Sequence, residues 1–131
     1  MKRVLLCMVL FAGCIHGQRV ENFPPAQRPG GLDVEVTTSA EAPRITGELL
    51  AVRADGLLIG TQSRIVFVSF GTIRDGRFPA VARLRIGARR TPGPDKLKEL
   101  SLMSRFPQGL HSDLLERLLE AYSQDVVEEI R

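Results

Sequence analysis

The sequence predicts an α+β fold, in which a small antiparallel β-meander or partly open barrel is followed by two C-terminal helices. Three observations support this prediction. Short apolar runs separated by turn residues occupy residues 44–86. The breaker Pro92-Gly93-Pro94 follows, and beyond it the apolar residues recur at helical spacing. The chain has 131 residues, 44% of them hydrophobic and 25% charged, which is the size and composition of one globular domain.

The N-terminus is typical of an export signal. Lys2 and Arg3 precede an apolar run of 12 residues, 4–15. A membrane-spanning helix needs about 20 apolar residues, so this run is too short to span a bilayer. Residues 1–17 are therefore predicted to be a signal peptide. The alternative is a buried N-terminal helix of the domain, which both flanks of the run fit less well.

Two cleavage sites are consistent with the sequence. Phe11-Ala12-Gly13-Cys14 resembles the lipobox of bacterial lipoproteins, with Phe where Leu is usual. That resemblance implies a signal ending at residue 13, diacylation of Cys14 and stable anchoring in a membrane. Ordinary cleavage after Gly17 would instead make Gln18 the first residue of a secreted or periplasmic protein. Under either cut the protein is exported, to the bacterial cell envelope or beyond it.

Residues 18–43 are predicted to be a flexible tether. Pro24-Pro25, Pro29 and Gly30-Gly31 interrupt regular structure, and most of the other residues are polar. The alternative is a short strand in this segment, because residues 32, 34 and 36 are apolar and alternate with polar neighbours.

Residues 44–131 are predicted to form the single globular domain, with strands over about 44–86. Asp55-Gly56 is a hairpin turn between two apolar runs. The first helix is predicted over about 95–105, with Asp95 as its N-cap and a stop before Pro107. The second is predicted over about 113–130, where one apolar stripe carries Leu115, Leu118, Leu119, Tyr122, Val126 and Ile130.

The residues available for chemistry favour a protein that is not an enzyme and has no metal or cofactor. Both cysteines, Cys7 and Cys14, lie in the signal region, so the mature chain has no disulfide, thiol nucleophile or Cys ligand. His111 is then the one remaining histidine, too few for a zinc site. His111-Ser112-Asp113 are consecutive and point in different directions, which prevents the hydrogen-bond relay of a catalytic triad.

Basic residues are concentrated in the middle of the chain. Residues 44–98 contain 11 basic and 4 acidic residues, whereas residues 99–131 contain 3 basic and 7 acidic ones. We predict that Arg83, Arg85, Arg89 and Arg90 contact a protein partner or an anionic surface such as a membrane. The alternative is that these arginines face the acidic last helix or solvent. Nucleic acid is disfavoured as a partner, because only 5% of residues are aromatic.

Two segments carry a resemblance to known proteins. ITGELLAVRADGLLI followed by IVFVSFGTIR resembles the strand-turn-strand pattern of small SH3-like and Sm-like barrels. With SRFPQGL and the Leu-rich helix after it, the chain is similar to uncharacterised small exported proteins and lipoproteins of bacteria. The resemblance implies a small barrel but carries no catalytic residue.

The leading hypothesis is an exported, membrane-anchored, non-enzymatic envelope protein that offers a basic surface to a partner or an anionic surface. The alternative is a small barrel module that binds a small ligand or nucleic acid. An enzyme would require a buried carboxylate or His111 in a concave pocket. An apolar cleft with converging polar groups would favour ligand binding or catalysis over interaction alone.

Overall fold

A computed structural model describes residues 30–39 and 44–130 of the chain. The predicted signal peptide, both cleavage sites and the tether residues 18–29 and 40–43 lie outside the described residues. The described part forms an α+β fold, as predicted. Its elements in chain order are β1 (Asp33–Thr38), β2 (Ile45–Arg53), β3 (Gly56–Gly60), β4 (Ile65–Ser69), a 3-10 turn (Phe70–Thr72), β5 (Ile73–Arg77), β6 (Arg85–Gly87), α1 (Pro94–Leu102), α2 (Ser112–Ala121) and β7 (Glu128–Ile130).

All seven strands of the described chain belong to one sheet, in the order β6-β5-β1-β2-β3-β4-β7. Neighbouring strands are antiparallel, except that β7 runs parallel to β4. Within the strands predicted over residues 44–86, the meander is present from β2 to β4, whereas β5 leaves it and pairs with β1. The sheet remains open, with β6 and β7 as its edges, so the predicted partly open barrel is not closed.

The position of β1 shows that the predicted tether is wrong for part of its length. Leu32, Val34 and Val36 are almost fully buried, and β1 is paired with β2 on one side and with β5 on the other. Residues 32–38 therefore belong to the globular domain, which begins before residue 44. The alternation of apolar and polar residues, which favours a strand, outweighs the tendency of the preceding Pro and Gly residues to interrupt regular structure.

A short connection shows that the sheet is strongly rolled. The 3-10 turn Phe70–Thr72 leads from β4 directly into β5, yet β5 pairs with β1, three strands away from β4. Three residues of 3-10 helix advance the chain by only about 6 Å. The end of β4 and the start of β5 must therefore lie close together, which requires the strands between them to curve around. Phe70 is buried in the core enclosed by that curve.

The two faces of the sheet contact different helices. Leu100 and Met103, at the end of α1, pack on the inner face, in a core to which β1 to β6 contribute. Leu119 of α2 packs on the outer face of β2, β3 and β4. A bulge in β2 extends the outer contact, because the register with β3 shifts between Leu49 and Ala51, so that Leu50 and Ala51 both face outward.

The first helix differs from its predicted boundaries at both ends. Gly93, and not Asp95, is the N-cap of α1, because Pro94 occupies the first turn, where its missing N–H costs nothing. The helix ends at Leu102 and does not reach residue 105.

The second helix ends at Ala121, nine residues before the predicted end. Ser123 has a φ of 54° and reverses the chain. The Gln124 side chain then pairs with β4 as a backbone would: its Oε1 accepts from Ile65 N at 2.6 Å and its Nε2 donates to Ile65 O at 3.0 Å. Residues 128–130 continue this pairing as β7, so Val126 and Ile130 are not part of a helical stripe.

Candidate functional site

Charged side chains occupy the outer face of the sheet beyond the part that α2 covers. Glu35 of β1 is in register with Arg77 of β5, and Arg77 is in register with Arg85 of β6. These three residues form one cross-strand row. Residues in register share a face, and Thr46, the β2 partner of Glu35, extends the row toward α2.

Each arginine of the row is oriented by one carboxylate. Arg77 Nη2 donates to Glu35 Oε2 at 2.6 Å, and Arg85 Nη2 donates to Asp75 Oδ1 at 3.0 Å. Arg44 Nη1 also approaches Glu35 Oε2, at 3.5 Å. These pairs are solvent-exposed, so each contributes at most about 1 kcal/mol to stability. Their main effect is to fix where the two guanidinium groups point.

The row borders a cleft of about 370 Å³. Its residues combine the charged side chains of the row with an apolar wall; they are Glu35, Arg77, Phe78, Pro79, Ala82 and Arg85. Phe78 is 1% exposed and belongs to the inner core, so it fixes the wall of the cleft on the body of the domain. The cleft thus brings converging polar groups next to an apolar surface.

A second basic feature lies at one end of β5 and β6. The N–H of Ala88 donates to the carbonyl of Arg74 at 3.1 Å, and the N–H of Arg89 donates to the carbonyl of Ile73 at 2.9 Å. The backbone therefore places Arg74, Arg89 and Arg90 together, and we call these three residues the arginine tip. Within residues 30–39 and 44–130, none of the three makes a hydrogen bond or ion pair with a carboxylate.

The backbone at the arginine tip is strained. Ala88 and Arg89 have φ values of 56° and 55°, in the left-handed region that favours glycine. A non-glycine residue there costs about 1–2 kcal/mol. The hydrogen bonds to β5, with one from Arg90 N to Gly87 O at 3.3 Å, hold the turn in this conformation. Strained backbone of this kind tends to cluster at functional sites.

The structure divides the four arginines predicted from the sequence. Arg83 donates to Glu99 of α1 at 2.6 Å, Arg85 lines the cleft, and Arg89 and Arg90 belong to the arginine tip. They therefore form two sites and one helix contact, and whether they bind a partner stays a prediction. Sequence reasoning missed Glu35 as a site residue, because it lies in the segment predicted to be a tether.

Arg105 has a raised pKa and a structural role. Arg105 forms a bidentate pair with Glu48, with Nε–Oε1 at 2.6 Å and Nη2–Oε2 at 3.0 Å. The hydrogen bonds to Glu48 raise the pKa of Arg105. Glu48 Oε1 also accepts from Gly31 N at 2.7 Å, and a side chain at Gly31 would collide with the Leu49 carbonyl. Glu48 thus ties the start of the domain to the loop after α1.

The other sequence candidates for chemistry are not assembled into a site. His111 is exposed at the N-cap of α2, and its side chain makes no capping hydrogen bond. Among the residues that the structure describes, no three His, Cys, Asp or Glu side chains are grouped to hold a metal ion. The expectation that the protein is not an enzyme stays a prediction.

Comparison with protein-family models, with curated proteins and with solved structures finds no match to this chain. In the described part of the chain, neither helix is long and apolar enough to cross a membrane.

Proposed function

We propose that this protein is an exported, non-enzymatic protein of the bacterial cell envelope, lipid-anchored through Cys14, whose arginine tip binds the anionic headgroups of the adjoining membrane surface. The observation that carries the proposal is the tip itself. Backbone hydrogen bonds place Arg89 and Arg90, on the strained turn, beside the end of β5 that carries Arg74, and none of the three has a carboxylate partner among the described residues. Arginine is always charged and forms bidentate bonds with phosphate, which suits a phospholipid headgroup.

The expected attraction between the arginine tip and the membrane is large enough to add to the effect of a lipid anchor. A basic residue near an anionic membrane surface contributes about 1 kcal/mol, so three contribute about 3 kcal/mol, or roughly a 100-fold gain in membrane occupancy. The 15 residues between Cys14 and Gly30 span at most about 50 Å when fully extended. An anchored domain therefore remains close to the membrane, and the tip would determine its orientation there.

The lipid anchor is tested by the intact mass of the mature protein, taken from its native membranes after detergent phase partitioning. We expect a chain that begins at Cys14 and carries the added mass of acyl groups. A Cys14→Ser variant should lose both the acyl mass and the partitioning into detergent. An unmodified chain beginning at Gln18 would contradict the anchor and leave a free secreted protein.

The surface contact is tested separately with a chain that begins at Gln18 and therefore has no lipid. We expect it to bind vesicles of phosphatidylcholine mixed with phosphatidylglycerol, and not vesicles of phosphatidylcholine alone. An Arg89→Gln/Arg90→Gln variant should bind about 30-fold more weakly in a flotation assay, because two basic contacts of about 1 kcal/mol each are removed.

The matched control is Arg53→Gln/Arg117→Gln, which removes the same net charge elsewhere on the surface. Arg53 lies over the Phe67 ring at 5.6 Å, and Arg117 is on the exposed side of α2. If the control weakens vesicle binding as much as the tip variant, the tip has no special role and the proposal fails. Salt-sensitive binding of an oligonucleotide through the same arginines, without vesicle binding, would instead support the nucleic-acid alternative.

A further inference from the structure

We infer that the cleft lined by Arg77, Arg85 and Phe78 binds a small organic monocarboxylate with an apolar group. This site is separate from the arginine tip, and the inference does not depend on the proposed membrane contact.

The first argument is the placement of two like charges directly opposite each other. Arg77 and Arg85 are register partners on neighbouring antiparallel strands. Side chains in such positions have Cβ atoms about 4.5–5.5 Å apart, and like charges there repel each other. Glu35 and Asp75 each offset part of that repulsion, and an anion bound between the two guanidinium groups would be attracted by both.

The second argument is the hydrogen-bonding capacity that the ion pairs leave unused. Each arginine donates to its carboxylate through Nη2, to one oxygen only. A guanidinium has five N–H donors, and its strongest contact with a carboxylate is bidentate. Both side chains therefore have further donors for a carboxylate in the cleft.

The third argument concerns the class of anion. The row and its ion-pair partners carry a net charge of +1, from three arginines, Arg44, Arg77 and Arg85, and two carboxylates, Glu35 and Asp75. This balance favours a singly charged carboxylate over a phosphate dianion, which the two carboxylates would repel. Pro79 and Ala82, exposed on the wall that Phe78 fixes to the core, provide apolar contacts for the remainder of the ligand, and the volume of about 370 Å³ is within the range of small-molecule sites.

Glu35 is the internal competitor of such a ligand. Its Oε2 accepts from Arg77 at 2.6 Å, so its negative charge opposes a second carboxylate at the same guanidinium group. Substitution of Glu35 by Gln removes the competing charge and leaves the shape of the side chain nearly unchanged. This variant should therefore bind the ligand more tightly, whereas a merely structural ion pair predicts no gain.

The experiment is an NMR titration of the chain that begins at Gln18, with benzoate and hexanoate as probes and benzamide as the neutral control. We expect both carboxylates to shift the resonances of residues 77–85, and benzamide to leave them unchanged. Arg77→Gln and Arg85→Gln should each weaken binding of benzoate at least about 10-fold, and Glu35→Gln should strengthen it several-fold. Arg117→Gln, on α2, should have no effect.

Three results would overturn the inference: benzamide binding as well as benzoate, no loss of affinity in Arg85→Gln, or weaker binding in Glu35→Gln. Should Arg77→Gln fail to fold, the Arg85 and Glu35 variants still decide the outcome. The Arg89→Gln/Arg90→Gln variant separates this site from the proposed membrane contact. It should lose vesicle binding and retain benzoate binding, so either proposal can fail without the other.

Discussion

A chain that begins at Arg44 should fail to fold. It lacks β1, which lies between β5 and β2, so its removal divides the sheet into β6-β5 and β2-β3-β4-β7. The truncated chain also loses Leu32, Val34 and Val36 from the core. Burial of each such side chain contributes about 1.5–3 kcal/mol, and the three together match a large part of the 5–15 kcal/mol that stabilises a typical domain.

The measurement is far-UV circular dichroism with urea denaturation on three chains, which begin at Gln18, Gly30 and Arg44. The first two contain β1 and should unfold cooperatively with similar midpoints. The third should show no cooperative transition. A chain beginning at Arg44 that unfolds at the same midpoint would show that β1 is dispensable and that the domain does begin at residue 44.

Strand β1 shows what local sequence can and cannot predict. The alternation of Leu32, Val34 and Val36 with polar residues is a local pattern and was visible. The partners of the strand were not, because β1 pairs with β5 about 40 residues later in the chain. Pairing across that distance depends on the roll of the whole sheet. The hairpin between β2 and β3 was predictable because Asp55-Gly56 specifies it locally.

The end of α2 illustrates a second limit. Val126 and Ile130 continue the helical spacing of Leu115, Leu118 and Leu119, so periodicity alone predicts one long helix. The chain instead reverses at Ser123, and Gln124 pairs with the backbone of β4. Val126 is 73% exposed as a result. Two apolar residues four apart fit a helix or a short strand equally well, and the tertiary contact decides between them.

Only the arginine-rich composition of the candidate sites was predictable from the sequence. The density of arginine between residues 74 and 90 indicated a basic surface, and Arg85, Arg89 and Arg90 do lie in the two basic sites. The sequence does not indicate that Arg85 and Arg77 are register partners on neighbouring strands, or that Glu35 completes the row. The positive φ values of Ala88 and Arg89 were not predictable either, because neither residue is a glycine, the residue that usually marks such a conformation.

Replacement of Phe70 by Ala should destabilise the domain by about 3–5 kcal/mol, the usual cost of removing a buried phenylalanine side chain. Phe70 is 1% exposed and lies in the 3-10 turn that returns the chain from β4 to β5. Its N–H also donates to the Asp55 carbonyl at 2.9 Å, which holds the turn against the β2–β3 hairpin. The side chain thus fills the core at the position where the sheet rolls over.

The measurement is the free energy of unfolding in urea, compared between the unmodified chain and Phe70→Ala. Leu114→Ala is the control, because Leu114 is 36% exposed on α2 and its truncation should change the free energy by less than about 1 kcal/mol. The backbone hydrogen bond to Asp55 survives in Phe70→Ala, so the loss reports on the packing of the ring. A loss no larger than that of Leu114→Ala would mean that the roll of the sheet does not depend on this ring.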